Sequence, residues 1–236
     1  MRRKTVVKGM MAGAVVALTA RGSEKPGSKT GRPIVRIPNG RNRIALTFDD
    51  GPKRGITAEL LEILEKRGAK CTFFEIGKNI RKAPELSRLT SEKGHRVGDH
   101  SMTHPHLPTL ETREEIEREI VGQLDLVERT IGRRPTSFRA PYLDFDERVW
   151  DVLKANGLLA YNAAVYADFK GDPNTLDDPA VASAHVADRA GKVRSGDVIL
   201  MHERPYTLIY LDEFVRRLQD RGFELVTVET LAASAD

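Results

Sequence analysis

The chain has 236 residues, 40% of them hydrophobic and 31% charged, which is enough to bury one substantial core and makes a single domain the expectation. Its formal net charge of +4 is unevenly placed: residues 1–43 hold 11 Lys or Arg against Glu24 alone, whereas residues 44–236 hold 27 basic against 33 acidic side chains. The folded part is therefore acidic, which argues against a nucleic-acid-binding role, and the single cysteine, Cys71, excludes an intramolecular disulfide.

In chain order, the first element is not structural. Arg2, Arg3, Lys4 and Lys8 precede an uncharged, mostly small and apolar run from Gly9 to Ala20. This is a secretory signal pattern, too short for the about 20 residues a membrane span needs, with cleavage expected near Thr19 or Ala20. The paired Arg2-Arg3 hints at twin-arginine export, although the residues after it fit that signal poorly. Residues 1–20 are thus read as a signal peptide, 21–41 as a flexible Gly/Ser/Lys/Pro linker and 42–236 as the folded domain, with a secreted or cell-envelope location and no stable membrane span.

From Arg43 onward, strand-like and helix-like stretches alternate. Strands are expected at 43–48, 71–76 ("CTFFEI", with Cys71 as a small buried residue), 95–98, 136–139, 158–166, 197–202 and 223–228. Helical spacing falls at "TAELLEILEKRG", 79–93, "TREEIEREIVGQLDLVERTIG", 146–156, 179–191 and "YLDEFVRRLQDRG". About seven βα units predict parallel strands joined by crossover helices, as a barrel or a doubly wound sheet.

Polar residues interrupt this pattern at the C-terminal ends of the expected strands: Asp49 and Asp50, His100 and His104, Arg139, Asp168, and His202. In a barrel those ends converge on one mouth. Asp49-Asp50 followed by Gly51-Pro52 would suit an ordinary turn, but two adjacent carboxylates after an apolar strand call for a compensating cation or metal. His100 and His104, at i and i+4, would lie on one side of a helical turn and could chelate a metal, with His106 a competing third imidazole. Two imidazoles and one carboxylate suit a catalytic zinc site and equally a non-haem Fe(II) site. Arg139 beside the other carboxylate would hold it charged and oriented, and His202 could serve as general acid or base. His95 and His185 are read as structural.

The stretches "TFDDGP", "HSMTHP", "RAPY", "ADF" and "LMH", in this order, resemble the five motifs of the NodB-like polysaccharide deacetylases, carbohydrate esterase family four, with likeness over about residues 42–230. The resemblance implies a distorted (β/α) barrel of about seven strands and a divalent metal, usually zinc, with Co²⁺ or a similar ion possible. It implies Asp50, His100 and His104 as metal ligands, Asp49 as catalytic base, Arg139 as its support and His202 as general acid. The Tyr142 backbone N–H would help form an oxyanion hole, and Leu200 would line the acetyl pocket. Two departures stand out. Leu143 occupies a place where the family usually has glycine. In the fourth motif Val165 replaces the first Asp, leaving Asp168 as the candidate to orient His202, and Phe169 replaces the Trp, which makes Phe169 a candidate substrate-side residue with Tyr142 and Leu200.

The function this implies is removal of N-acetyl groups from a glucosamine-containing polysaccharide such as peptidoglycan or a chitin-like polymer. Competing readings are an acetyl ester hydrolase acting on acetylxylan, a non-catalytic carbohydrate-binding barrel, and an Fe(II) oxygenase, whose chemistry does not call for Asp49 and His202.

Overall fold

The structure, a computed structural model, describes residues 31–235. The expected signal peptide and residues 21–30 of the expected linker lie outside the described residues. The strands are β1 (Arg43–Gly51), β2 (Thr72–Glu75), β3 (Arg96–Asp99), β4 (Ser137–Phe138), β5 (Leu159–Ala160), β6 (Val165–Tyr166), β7 (Val198–His202) and β8 (Glu224–Leu225). The helices are α1 (Thr57–Lys66), α2 (Gly77–Lys82), α3 (Pro84–Glu92), α4 (Arg113–Ile131), α5 (Glu147–Ala155), α6 (Pro179–Lys192), α7 (Pro205–Asp220) and α8 (Val228–Ala232). Seven strands run in the order β5-β4-β3-β2-β1-β7-β6, every paired strand is parallel, and β8 adds a short pairing to β1. The result is a curled, incomplete barrel with helices outside. No helix among the described residues is long and apolar enough to cross a membrane.

Period-two alternation sorts β1 into two faces. Ile44, Leu46 and Phe48 point outward into the main core with Leu60, Leu61, Leu64 and Phe214 from α1 and α7. Ala45, Thr47 and Asp49 occupy the opposite, barrel-facing side. Ala45 packs there with Phe74, Tyr161 and Val198, and α8 contributes Val228 and Leu231 to the same cluster. Apolar packing therefore fills one end of the barrel and polar side chains are collected at the other.

Three expectations are corrected. The 79–93 helix is two helices, because Pro84 cannot donate to the turn before it and holds Ala83 out of helical geometry (φ −145°, ψ 59°). The 158–166 strand is β5 and β6, the two ends of the sheet path. The linker ends earlier than residue 41: the Ile34 N–H bonds the Ala160 carbonyl (2.8 Å), the Val198 N–H bonds the Val35 carbonyl (3.0 Å), and Ile34 and Ile37 are buried. This segment ties β5 to β7 across the opening of the sheet.

Candidate active site

The adjacent carboxylates reach the same site because β1 breaks its register between them. Asp49 pairs with Phe74 of β2 and Gly51 with Glu75, so Asp50 is the extra residue of a bulge, in the left-handed conformation (φ 70°). Asp49 keeps its barrel-facing direction while Asp50 turns toward the mouth.

Asp49 is buried against Arg139, itself 0% exposed. The Arg139 Nη1 donates to Asp49 Oδ1 and to Thr47 Oγ1, both at 2.7 Å. Its Nε and Nη2 reach the Tyr161 and Asn162 carbonyls (3.2 Å each), and its guanidinium lies 4.3 Å from the Phe74 ring centre. A planar fork with four acceptors and an aromatic face beneath it fixes the carboxylate far better than an exposed ion pair could.

The two histidines come from the loop after β3. The predicted helical turn is not what brings them together: Ser101 (φ 61°) and His104 (φ 66°) are both left-handed, and the loop is bent by side-chain bonds. Buried Asp99 accepts the Ser101 N–H (2.7 Å), and Ser101 Oγ accepts the His104 N–H (3.0 Å). The start of α2 braces the loop, with Gly77 N–H on the Ser101 carbonyl and Lys78 N–H on the Met102 carbonyl. Gly77 is required there, since a Cβ would lie 2.5 Å from Met102 Sδ and 3.0 Å from its Cα.

Asp50, His100 and His104 each offer a ligand atom, all within 4.8 Å of one another. Asp50 Oδ1 is 3.8 Å from His100 Nε2 and 3.5 Å from His104 Nε2. His100 Nδ1 lies 2.7 Å from the Arg139 carbonyl, which can only accept. Nδ1 therefore carries the proton and Nε2 turns its lone pair toward Asp50. Burial lowers the His100 pKa despite the pull of Asp49, favouring the neutral, ligating ring. Burial works to raise the Asp50 pKa, but His100, His202, His104 and Lys53 bring it below the usual carboxylate value. A neutral imidazole with an outer hydrogen bond, a second imidazole and an ionised carboxylate fit a divalent cation. His106 is not part of this cluster: its Nε2 pairs with Asp144 Oδ2 at 2.7 Å.

His202 ends β7 directly beside Asp49 in the ladder. Asp168 holds it twice, Oδ1 accepting the backbone N–H (3.0 Å) and Oδ2 accepting Nδ1–H (2.5 Å). Burial would depress the imidazole, but the hydrogen bond and charge of Asp168, with Asp49 and Asp50 behind it, raise its pKa above the ordinary histidine value. The support left open by Val165 is thus in place on Asp168, while Val165 itself is a buried residue of β6.

The remaining candidates divide. Leu200 is buried on β7 beside Thr47 of β1. Tyr142 is 67% exposed at the mouth, its ring 5.1 Å from His104 and 5.5 Å from His106. Both Tyr142 (φ 59°) and Leu143 (φ 62°) are left-handed, so the loop keeps at Leu143 a conformation that glycine favours. Phe169 is half-buried and packs edge-on against His185 (5.2 Å), as part of the core around α6 and α7. His95 and His185 are structural, accepting the Cys71 N–H (3.1 Å) and bonding the Ala167 carbonyl (3.0 Å) respectively, and Cys71 is buried.

Sequence reasoning missed Thr47, Glu203 and Arg204. Thr47, two residues before Asp49, shares its face by strand periodicity and was findable on that ground. Glu203 is buried beneath the β1 bulge, where it bonds the Thr57 hydroxyl and sends its backbone N–H to the Asp49 carbonyl (3.1 Å). Burial pushes its carboxyl up to about 7. The Gly51 position leaves it room, since a Cβ there would fall 1.8 Å from Glu203 Oε1. Arg204 Nη2 donates to Asp50 Oδ2 at 2.9 Å.

The chain is thus a curled parallel barrel with a carboxylate–imidazole cluster at its mouth, and the comparisons with known proteins name the family. Residues 36–161 match the polysaccharide deacetylase family. A peptidoglycan-N-acetylglucosamine deacetylase of Bacillus cereus is 30% identical over 208 residues, covering 86% of this chain and 93% of that protein. A chitooligosaccharide deacetylase of Azorhizobium caulinodans is 31% identical over 206 residues, covering 80% and 94%. Among solved structures, a CE4 family pseudoenzyme from Bacillus anthracis superposes with a TM-score of 0.75 at 21% identity, covering 86% of this chain and 69% of that one, a likeness of fold alone. The chain belongs to the polysaccharide deacetylase family and is an enzyme of that kind.

Proposed function

We propose that this protein is an exported, metal-dependent hydrolase that removes N-acetyl groups from a glucosamine-containing polysaccharide of the peptidoglycan or chitin type, with zinc as its ion. The observation that carries the reading is the pair of supported groups flanking the cluster: Asp49 locked by Arg139 on one side, His202 locked by Asp168 on the other. A bare carbohydrate-binding barrel has no need of either.

Asp50, His100 and His104 would hold a divalent ion, which would supply Lewis acidity toward the acetyl carbonyl and the attacking water. Asp49 takes a proton from the attacking water. The Tyr142 backbone N–H donates to the carbonyl oxygen as negative charge develops there, and the acetyl methyl rests on Leu200. His202 then gives a proton to the sugar nitrogen as the C–N bond breaks, so that amide and water become amine and acetate. General acid or base assistance of this kind contributes about 10²–10⁴ each, and an oxyanion donor about 10²–10³. A positioned acid at His202 matters most for an amide substrate, because an amine must be protonated to leave.

Acetate release from peptidoglycan, chitooligosaccharides and acetylxylan tests the reading. Release from the N-acetylated polymers is expected, and release from acetylxylan alone would replace it with the ester reading. Export rests on the basic-then-apolar residues 2–20. Mass spectrometry of protein collected from the native host should find a chain beginning near residue 20, and an intact Met1 would remove that support.

A further inference from the structure

Each residue of the stretch His202-Glu203-Arg204 is aimed at the β1 bulge. His202 lies beside Asp49 in the ladder, the Glu203 carboxyl sits against Gly51, and Arg204 reaches Asp50. The Arg204 backbone is anchored between the end of β7 and Pro205 at the start of α7, where its carbonyl accepts the Thr207 N–H (3.0 Å). Its side chain is 42% exposed, yet Nη2 is 2.9 Å from Asp50 Oδ2, while the other oxygen of the same carboxylate, Oδ1, faces the two imidazole Nε2 atoms.

From this division of the carboxylate we infer that Arg204 is a positioning residue for the cation site: it holds Oδ2 so that Asp50 offers only Oδ1 to the ion. The geometry has a chemical consequence. A free aspartate can swing about its Cα–Cβ and Cβ–Cγ bonds and can chelate with both oxygens, whereas an aspartate gripped at Oδ2 is fixed in rotation and limited to one ligand atom. That limit leaves more of the ion's coordination positions for water and the acetyl oxygen, as a catalytic site requires. Lys53 acts on Asp50 through its charge, while its Nζ donates to the Glu203 carbonyl (2.9 Å). Arg204 therefore does for Asp50 what the Arg139 carbonyl does for His100 Nδ1: it fixes a ligand from outside the coordination shell.

A cation that merely stood nearby would behave in the opposite way, repelling the metal, so that its removal would tighten binding. This separates the two roles by sign. The inference rests on the metal-dependent reading above, and its test measures binding instead of turnover. Metal-stripped wild type, Arg204→Gln and Arg204→Lys are titrated with Co²⁺, following the visible absorption of the bound ion. Arg204→Gln should bind about 10–100-fold more weakly, the loss typical of an outer-shell partner. Its absorption should also change in shape, because an Asp50 no longer held at Oδ2 presents its oxygens to the ion in more than one arrangement. Arg204→Lys, which keeps a donor and the charge, should recover most of the affinity. Unchanged or tighter Co²⁺ binding by Arg204→Gln, or a spectrum identical to wild type, overturns the inference. Failure of wild type itself to bind Co²⁺ would overturn the metal reading instead, so the two failures are distinguishable.

Discussion

Replacing Arg139 by methionine removes the charge and the hydrogen-bonding fork while keeping an apolar stem to fill the space over Phe74. Asp49 is then left buried without its cation, and Thr47 Oγ1 and the Tyr161 and Asn162 carbonyls lose their donor. Breaking a buried ion pair by removing one partner destabilises by about 3–5 kcal/mol. At roughly 2–4 °C per kcal/mol for a domain of this size, the melting temperature should fall by about 6–20 °C. Adding Asp49→Asn to the variant removes the stranded charge, so the double variant should be more stable than Arg139→Met alone, a non-additivity expected only of residues in direct contact. Thermal and urea unfolding followed by far-ultraviolet circular dichroism measure these effects, on metal-stripped proteins because bound metal would add its own stabilisation. If Arg139→Met stays within about 1 kcal/mol of wild type, or if the two substitutions simply add, the buried pair is not what holds Asp49, and the assignment of Arg139 as its support fails.

Other consequences follow from the same geometry. His202→Ala should slow deacetylation of an N-acetylglucosamine oligomer by about 10²–10⁴ but spare 4-nitrophenyl acetate, whose phenolate leaves without a proton; equal loss on both substrates would remove His202 from the acid role. Because Asp168 raises the His202 pKa and an acid must be protonated to act, Asp168→Asn should move the alkaline limb of the pH–rate profile to lower pH, and an unmoved limb would contradict the pairing. Burial, aided by repulsion from Glu203 and opposed by the Ser87 hydroxyl, lifts the Glu75 carboxyl from 4.5 to about 8. The folded state thus binds this proton more tightly than the unfolded chain. The stability is complete below about pH 4.5 and is lost as pH rises toward 8, by about 1.4 kcal/mol per unit, so the advantage of Glu75→Gln over wild type should grow across that window and level off above it. Leu143→Gly relieves a left-handed leucine, worth about 1–2 kcal/mol, against about 0.4–1 kcal/mol of added unfolded-state entropy; its urea midpoint should match or slightly exceed that of wild type, and a marked loss would mean that the Leu143 side chain holds the loop.

Local patterns made much of this legible in the sequence. The apolar runs of β1, β2 and β7 and the heptad-like spacing of α4 need only near neighbours to be read, and the polar residues at strand ends marked the mouth. The illegible parts depend on distant partners. Ile34 and Ile37 look like linker until Ala160 and Gly196, more than a hundred residues away, supply their hydrogen-bond partners. His100 and His104 were found through a helical spacing that the fold does not use; two left-handed residues and the buried Asp99 bring their rings together instead. Arg204 carried no local signal, since an arginine before Pro205 looks like an exposed helix start, and only the bulge at Asp50 gives it a partner.

The central claim is that Asp50 binds the ion while its neighbour Asp49 works on water. The most direct test is Asp49→Asn in metal-reconstituted protein, with bound metal counted by elemental analysis and acetate release measured on an N-acetylglucosamine oligomer in the same sample. The account predicts metal at the wild-type stoichiometry and loss of turnover by about 10²–10⁴, with Asp50→Ala losing the metal itself. Turnover at the wild-type rate, or loss of metal from Asp49→Asn with retention in Asp50→Ala, would contradict it.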